Sequence, residues 1–185
     1  MRKTLNEPGY REYPEKEYMN CICPLKADMT IDLPSGFQFL FGEDYPNEEN
    51  KWSALRLGFH PDCESPDYRA SMTPYRERKN SSLYRDSFEC VVVDNTAAEQ
   101  DQVCGYCFVY VDKRTKSALI EPASTREKHR RKGIGTAMLH GAVMRCKKLG
   151  IERCYVDSFG WRKDFYIAAG FFTESSVSFS YKNLR

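Results

Sequence analysis

A short basic segment followed by two glycines is the part of this sequence whose residue types point most directly to chemistry. Five of the seven residues from Arg126 to Lys132 are lysine or arginine, and Gly133 and Gly135 follow where the clearest helical pattern begins. The first turn of a helix carries unpaired N–H groups and a partial positive charge, which together favour a phosphate or pyrophosphate. Glycines let the backbone approach such an anion closely, and the basic side chains add charge-assisted hydrogen bonds. The segment therefore predicts an anion-binding loop.

The spacing of the glycines excludes two common nucleotide-binding loops. A Walker loop requires Gly-x4-Gly-Lys-Ser/Thr, which this segment lacks, and a dinucleotide fingerprint requires a third glycine where this chain has Met138. What remains is Arg-x-x-Gly-x-Gly at positions 130–135, at the start of a helix that follows a strand. This pattern resembles the acyl-CoA pyrophosphate loop of the GNAT (Gcn5-related N-acetyltransferase) superfamily.

Three other segments resemble landmarks of the same superfamily. Residues 118–125, Ala-Leu-Ile-Glu-Pro-Ala-Ser-Thr, look like its fourth strand, just upstream of the loop. Residues 164–171, Asp-Phe-Tyr-Ile-Ala-Ala-Gly-Phe, are similar to its Phe-Tyr-x3-Gly-Phe signature, and residues 33–44 look like its first strand and turn. The resemblance extends over residues 34–182.

The resemblance implies both a fold and a co-substrate. GNAT proteins have an α/β (α+β) fold: a mixed, mostly antiparallel sheet is flanked by helices, and its fourth and fifth strands splay apart to admit acyl-CoA. The implied activity is direct transfer of an acetyl group from acetyl-CoA to an amine, and no metal is expected. The residues implied to bind acetyl-CoA are Ala123, Ser124, Thr125, Arg130, Arg131, Lys132, Gly133, Ile134, Gly135 and Thr136.

The acid of the reaction is implied by a single tyrosine. A departing thiolate needs a proton donor, and Tyr166 matches the tyrosine that serves this purpose in the superfamily. Its phenol is a reasonable donor to a thiolate of similar basicity. The alternative is that Tyr166 is only a packed aromatic residue beside Phe165.

The base is less narrowly specified. Only a neutral amine is nucleophilic, and Glu121 lies in the fourth strand, where many members place a glutamate base. Because side chains alternate along a strand, Glu121 is expected to share a face with Ala123 and to oppose Ile120. A solvent-facing or salt-bridged role for Glu121 is equally compatible, and Asp157 at the end of the fifth strand is a second candidate.

Three further positions bear on the resemblance. Many members carry an asparagine that contacts the cofactor where this chain has Phe159, so that contact is in doubt. The histidines nearest the loop, His129 and His140, are expected to be surface residues rather than bases.

Eight cysteines raise the question of disulfides or a metal site. The first twenty residues lack the apolar core of a signal peptide. Several cysteines lie within apolar runs, which favours buried, reduced thiols; these are Cys90, Cys104, Cys107 and Cys154. Alternation along a strand is expected to place Cys104 and Cys107 on opposite faces. Cys21 and Cys23 form a lone pair, which is weak evidence for a metal.

Charge and hydropathy restrict the partners. A net charge of +2, from 28 basic and 26 acidic residues, is too small to attract nucleic acid, and the basic segment has no interleaved aromatic residues. The longest apolar run is too short to span a membrane. We expect a cytoplasmic protein whose partner is a small-molecule or peptide amine, with no nucleic acid and no membrane; the resemblance is compatible with a homodimer.

The mixed charges of residues 45–86 leave polyamine, amino acid, aminoglycoside and protein lysine open as acceptors. A non-catalytic acyl-CoA-binding sensor or scaffold is the alternative function.

The elements that must position these residues follow from local patterns. Apolar residues recur with helical spacing from Gly133 to Leu149 and end at Gly150, a natural helix stop. We predict strands at 37–41, 88–93, 103–111, 117–122 and 154–156 and from residue 171, and helices at 48–59, around 67–78, at 133–149 and at 162–169. The strands at 88–93 and 103–111 are predicted to form an antiparallel hairpin.

Residues 1–33 are interpreted as an N-terminal extension, and residues 34–185 as the GNAT acetyltransferase domain.

Overall fold

Strands and helices alternate along the chain in a computed structural model that describes residues 10–12, 18–24, 29–59, 73–159, 162–177 and 180–182. In these ranges the helices are α1 Glu48–Phe59, α2 Thr73–Lys79, α3 Ile134–Lys148 and α4 Lys163–Ala168. The strands are β1 Tyr10–Glu12, β2 Tyr18–Pro24, β3 Phe37–Phe41, β4 Glu89–Asp94, β5 Val103–Asp112, β6 Ser117–Thr125, β7 Arg153–Phe159, β8 Phe172–Val177 and β9 Ser180–Lys182.

Seven of these strands form one sheet in the order β3-β4-β5-β6-β7-β2-β8, and β1 and β9 form a separate antiparallel pair. Every neighbouring pair in the large sheet is antiparallel except β6 and β7, which are parallel. The predicted α/β fold with a mixed, mostly antiparallel sheet is therefore confirmed.

The parallel pair β6–β7 is short. Only Ser117, Ala118 and Leu119 pair with β7, and the last pair joins Leu119 to Tyr155. Both strands continue beyond this point, to Thr125 and Phe159, each paired with its other neighbour. A fork therefore opens in the middle of the sheet, where the splay was expected.

Part of the predicted N-terminal extension belongs to this sheet. Strand β2 lies between β7 and β8 and pairs antiparallel with both, from Tyr18 opposite Phe159 to Pro24 opposite Arg153 on the β7 side. A boundary at residue 34 stays a prediction. The side chains of Cys21 and Cys23 lie outside the described residues.

The sheet separates two apolar clusters. Side chains of β4 alternate, so that Cys90 and Val92 face α3 while Val91 and Val93 face α1. Helix α3 contributes Ile134, Met138, Leu139, Ala142, Val143 and Cys146 to the first cluster. The second cluster contains Trp52, Ala54 and Leu55 of α1 and Tyr75 of α2. The first cluster includes residues of both strands of the fork, and α1 contacts β6 on the opposite face.

Most predicted elements are confirmed, with adjusted ends. The helix predicted at 133–149 occupies Ile134–Lys148, because Gly133 and Gly150 adopt φ angles of 79° and 74°, outside the helical range. The strand predicted to end at Pro122 continues to Thr125. The helix predicted around 67–78 is found at Thr73–Lys79, and positions 67–72 lie outside the described residues.

The placement of two cysteines differs from the prediction. Cys104 and Cys107 lie in the same apolar cluster rather than on opposite faces. The pairing of β5 with β4 shifts register between Val92 and Val93, so Cys104 is an extra residue in a β-bulge and alternation is interrupted. The expected burial is confirmed, since both thiols are buried and free. No helix in the described ranges is long and apolar enough to cross a membrane.

Candidate active site

A cleft of about 790 Å³ lies beside the fork, at the N-terminal end of α3. Its walls come from the end of α1, strand β6, the basic loop, the first turns of α3, and α4. The lining residues are Gly58, Phe59, Ala123, Ser124, Thr125, Arg130, Arg131, Gly133, Ile134, Gly135, Thr136, Met138, Leu139, Arg162, Asp164, Phe165, Tyr166 and Ala168. The cleft thus brings most of the predicted cofactor residues together with Tyr166.

The first turn of α3 presents backbone amides to the cleft. Helical hydrogen bonding begins when the Ala137 N–H donates to the carbonyl of Gly133 at 2.9 Å, so the N–H groups of Ile134, Gly135 and Thr136 precede it. Gly133, the residue before the helix, has no side chain that could accept hydrogen bonds from these N–H groups. Unpaired amides at a helix start favour an anion, as the sequence predicted.

Gly135 makes room for an aromatic wall. A Cβ at this position would lie 2.9 Å from Cζ of Phe165 and 3.5 Å from Oγ1 of Thr125. Any larger residue at this position therefore requires the Phe165 ring, which is 41% exposed, to shift.

Two arginines of the loop line the cleft. The Arg130 guanidinium donates to the carbonyl of Gly58 at 2.8 Å and, through Nε, to that of Thr125 at 3.3 Å. These bonds join the loop to the end of α1 and the end of β6. Arg131 follows with a φ of 64°, a left-handed backbone conformation that is uncommon for residues other than glycine.

The remaining basic residues of the segment are placed elsewhere. The Lys132 ammonium lies 5.8 Å from the ring centroid of Phe37 and does not line the cleft. Arg126 is only 3% exposed, and its guanidinium lies 2.6 Å from a carboxylate oxygen of Asp101. The interpretation of the whole segment as one anion-binding cluster is therefore wrong for Arg126, which is buried and forms an ion pair with the exposed Asp101.

Strand β6 is attached to α1 by Ser124. Its hydroxyl donates to the carbonyls of Ala54 and Leu55, each at 3.1 Å. Gly58, one turn further along α1, leaves no space for a Cβ, which would overlap the same hydroxyl. The predicted cofactor residue Ser124 thus has a positioning contact as well as a place in the cleft wall.

Tyr166 is buried in the wall formed by α4, with 6% of its surface exposed. Its ring packs edge-on against Phe165, with centroids 5.0 Å apart, and against Phe171 at 6.0 Å. It lines the cleft together with Ile134 and Met138 of α3. Both the aromatic packing and a place in the cleft are therefore observed for this residue.

Glu121 opposes Ile120, as alternation predicts, but it does not share a face with Ala123. The pairing of β6 with β5 joins Ile120 to Val109 but Ala123 to Cys107, so β6 contains one extra residue between them. As a result Ala123 packs against the same cluster as Ile120, and the prediction that Glu121 shares a face with Ala123 is wrong.

The surroundings of Glu121 perturb its ionisation. Burial raises the pKa of the Glu121 carboxyl, and the negative charge of Asp157 adds to this effect, while the positive charges of Arg78 and Arg162 oppose it. The net result is a raised pKa, which is typical of a carboxyl group suited to proton transfer.

The two histidines near the loop do not line the cleft. His129 is 4% exposed and its Nε2 lies 3.2 Å from a carboxylate oxygen of Asp94, so the expected surface position is wrong. Burial lowers the pKa of His129. His140 is half-buried and contacts the carbonyls of Thr30 and Ala169. The side chain of Phe159 lies outside the described residues.

Eight lining residues were not among the predicted site residues, and three of these belong to segments that no motif indicated. Gly58 and Phe59 come from the end of α1, and Arg162 precedes α4 with its guanidinium 5.8 Å from the Phe59 ring centroid. No local pattern marks them, because the contact joins segments about a hundred positions apart in the chain.

Comparison with known proteins agrees with this geometry. The sequence model described as Acetyltransferase (GNAT) family matches residues 51–171. No curated protein matches the chain.

Several solved structures share the fold. A GCN5-related N-acetyltransferase from Sphaerobacter thermophilus superposes with a TM-score of 0.73 at 15% identity, covering 94% of this chain and 53% of its own. A tandem GNAT protein from the clavulanic acid biosynthesis pathway gives 0.66 at 14% identity, covering 94% and 55%. An aminoglycoside acetyltransferase from an uncultured soil metagenomic sample gives 0.54 at 18% identity, covering 80% and 95%. This chain spans about half the length of the first two.

Proposed function

Because the chain belongs to the Acetyltransferase (GNAT) family, we propose that it is an acetyl-CoA-dependent N-acetyltransferase that transfers the acetyl group directly to an amine. The observation that carries this proposal is the fork between β6 and β7, with the free amides of α3 at one end and Tyr166 in its wall. An elongated thioester with a pyrophosphate fits such a cleft.

The open edge of β6 supports the binding of an extended chain. Beyond Leu119 no described residue pairs with this strand on its β7 side, while Ala123 and Thr125 remain paired with β5 on the other. An unpaired strand edge offers alternating N–H and C=O groups, to which the pantetheine arm of acetyl-CoA can bond like an added strand. The pyrophosphate would then meet the amides of residues 134–136 and the side chains of Arg130 and Arg131.

The chemistry needs a base and an acid. Glu121, whose pKa is raised by burial, accepts a proton from the ammonium so that the neutral nitrogen attacks the thioester carbon. A carbon–nitrogen bond forms, the carbon–sulfur bond breaks, and the attacking nitrogen releases its second proton to solvent as the amide forms. Tyr166 donates its phenolic proton to the departing thiolate, and no acyl-enzyme is formed.

The assigned acid is tested by Tyr166→Phe. Loss of a positioned proton donor lowers turnover by about 10²–10⁴-fold, while KM for acetyl-CoA stays near wild type because the ring is retained. Release of free CoA with a panel of amines measures both quantities. Tyr45→Phe is the matched control, since Tyr45 accepts a hydrogen bond from Asn50 away from the cleft.

Two results would contradict these assignments. Wild-type turnover in Tyr166→Phe would show that another group protonates the thiolate. Tight CoA binding by the wild-type chain, without CoA release in the presence of any amine, would instead favour a non-catalytic acyl-CoA-binding module. The cytoplasmic location, the homodimer and the identity of the amine partner stay predictions.

A further inference from the structure

One row of side chains crosses the sheet at the fork, on the face covered by α1 and α2. Leu119 of β6 pairs with Tyr110 of β5 on one side and with Tyr155 of β7 on the other. Two positions beyond this last parallel pair, β6 carries Glu121 and β7 carries Asp157. The two carboxylates therefore flank the opening of the fork at equivalent steps of the two strands.

Both carboxylates lie on the face opposite the predicted acetyl-CoA loop. Cys154 and Val156 of β7 belong to the cluster under α3, so Asp157 points the other way by alternation. On β6 the extra residue between Ile120 and Ala123 leaves Glu121 on the same side as Asp157. An amine held between them would approach the fork from the side opposite α3.

Among the residues that the structure describes, the half-buried Glu121 carboxyl group has no hydrogen bond or close ion pair, although the positive charges of Arg78 and Arg162 act on it. A carboxylate removed from water without a partner is unfavourable, and an ammonium group would supply both the opposite charge and the hydrogen bonds. Asp157 is exposed and adds a second negative charge at the mouth.

An arginine side chain lies at the other end of this row. Arg78, in the last turn of α2, is half-buried, and its positive charge acts on both the Tyr110 phenol and the Glu121 carboxyl group. Its guanidinium has five donors in a planar fork that matches a carboxylate. Paired strands are about 5 Å apart, so the long Arg78 side chain above β5 and the two carboxylates on β6 and β7 are close enough to contact one small molecule.

We propose that the acceptor is a small zwitterion whose ammonium lies between Glu121 and Asp157 and whose carboxylate pairs with Arg78. This inference rests on the proposed acetyltransferase function and adds the chemical class of its substrate. A diamine is disfavoured, because its second ammonium would meet the positive charges of Arg78 and Arg162.

Matched pairs of amines test this assignment. Each pair contains an amino acid and the amine left after removal of its carboxylate: alanine with ethylamine, phenylalanine with phenethylamine, and lysine with cadaverine. Binding to the chain saturated with CoA is measured by calorimetry, and turnover with acetyl-CoA is measured as CoA release. At least one amino acid should bind about tenfold more tightly than its partner amine, as expected for a charged hydrogen-bonded contact.

Variants test which residue causes the tighter binding of amino acids than of their partner amines. Arg78→Gln should weaken binding of the amino acid about tenfold and leave the amine unchanged, whereas Glu121→Gln should weaken both members of the pair. Arg76→Gln is the matched control, because Arg76 is an exposed arginine on the same helix; it should bind both members like wild type. Thermal unfolding confirms that each variant is folded.

The two proposals fail in different ways. Equal or tighter binding of the amines, equal effects of Arg78→Gln on both members of a pair, or no binding by any amino acid would overturn the zwitterion assignment. CoA release with the amines would leave acetyltransferase activity intact in each case. No CoA release with any compound would contradict the activity, while the binding comparison would still decide the assignment.

Discussion

A buried carboxylate at the start of β4 provides a quantitative test of what holds α1 over the fork. Glu89 is fully buried, and the Lys51 ammonium of α1 lies 2.6 Å from its Oε2. Three phenol oxygens lie within hydrogen-bond distance of its Oε1, those of Tyr75 at 2.9 Å, Tyr84 at 2.8 Å and Tyr106 at 2.7 Å, and the Tyr84 phenol is shared with Asp86. One carboxylate therefore joins α1, α2, β4 and β5.

Glu89→Gln keeps the shape of this side chain and removes its charge. The new amide NH₂ must face either the Lys51 ammonium or the three phenols, and in each orientation donors meet donors. Burial by itself lowers the pKa of Lys51, and the hydrogen bond and charge of Glu89 reverse this to a raised pKa. The variant removes that compensation from a buried ammonium.

The expected loss of stability follows from this geometry. Removing one partner of a buried ion pair costs about 3–5 kcal/mol. Lys51 keeps a second contact, with Glu48 at 2.9 Å, so the free energy of unfolding should fall by an amount near the lower end of that range. For a chain of this size, about 3 kcal/mol corresponds to a melting temperature lowered by about 6–12 °C.

The same substitution on the surface is the matched control. Lys116 and Glu152 also form a 2.6 Å ion pair, but their side chains are 58% and 62% exposed. Glu152→Gln should leave the melting temperature unchanged, because water and salt screen this pair. Thermal and urea unfolding followed by circular dichroism measure both variants. If Glu89→Gln melts no lower than Glu152→Gln, the reasoning about the buried network is wrong.

Three further predictions concern the proposed base and the cleft. In the wild type, kcat/KM should rise with pH as Glu121 loses its proton, and the raised pKa of this carboxyl places the rise at a higher pH than for an exposed glutamate. In Glu121→Gln this rise should disappear. Gly135→Ala should weaken CoA binding, measured by calorimetry, by at most about tenfold, because its Cβ would lie 2.9 Å from the Phe165 ring, which is 41% exposed and can shift at the lower end of the about 1–3 kcal/mol that displacing packed atoms costs. Arg130→Gln should weaken CoA binding more than Lys132→Gln in the same assay, since only Arg130 lines the cleft; equal effects would contradict this placement.

Local patterns were sufficient for the elements that carry the site. The helix at Ile134–Lys148 was predicted within one residue at each end, because glycines at 133 and 150 adopt backbone angles that end a helix. The hairpin of β4 and β5 followed from two apolar runs with turn residues between them. Such signals depend on residues close in sequence.

Side-chain direction was predicted wrongly wherever a strand bulges. One extra residue in β5 places Cys104 on the face of Cys107, and one extra residue in β6 separates Glu121 from Ala123. Period-two alternation is a property of an uninterrupted ladder, and a bulge depends on how the neighbouring strand pairs. The sequence of one strand does not contain that information.

The sequence by itself determined the family resemblance, the loop at the start of α3 and the tyrosine of α4, because these are short motifs with fixed spacing. Only the tertiary structure decided which basic side chains of that loop line the cleft. Arg126 is neutralised by Asp101, His129 lies against Asp94, and Arg130 remains at the cleft. The physical reason is that burial and pairing join residues distant in the chain, and ionised groups removed from water must find such partners.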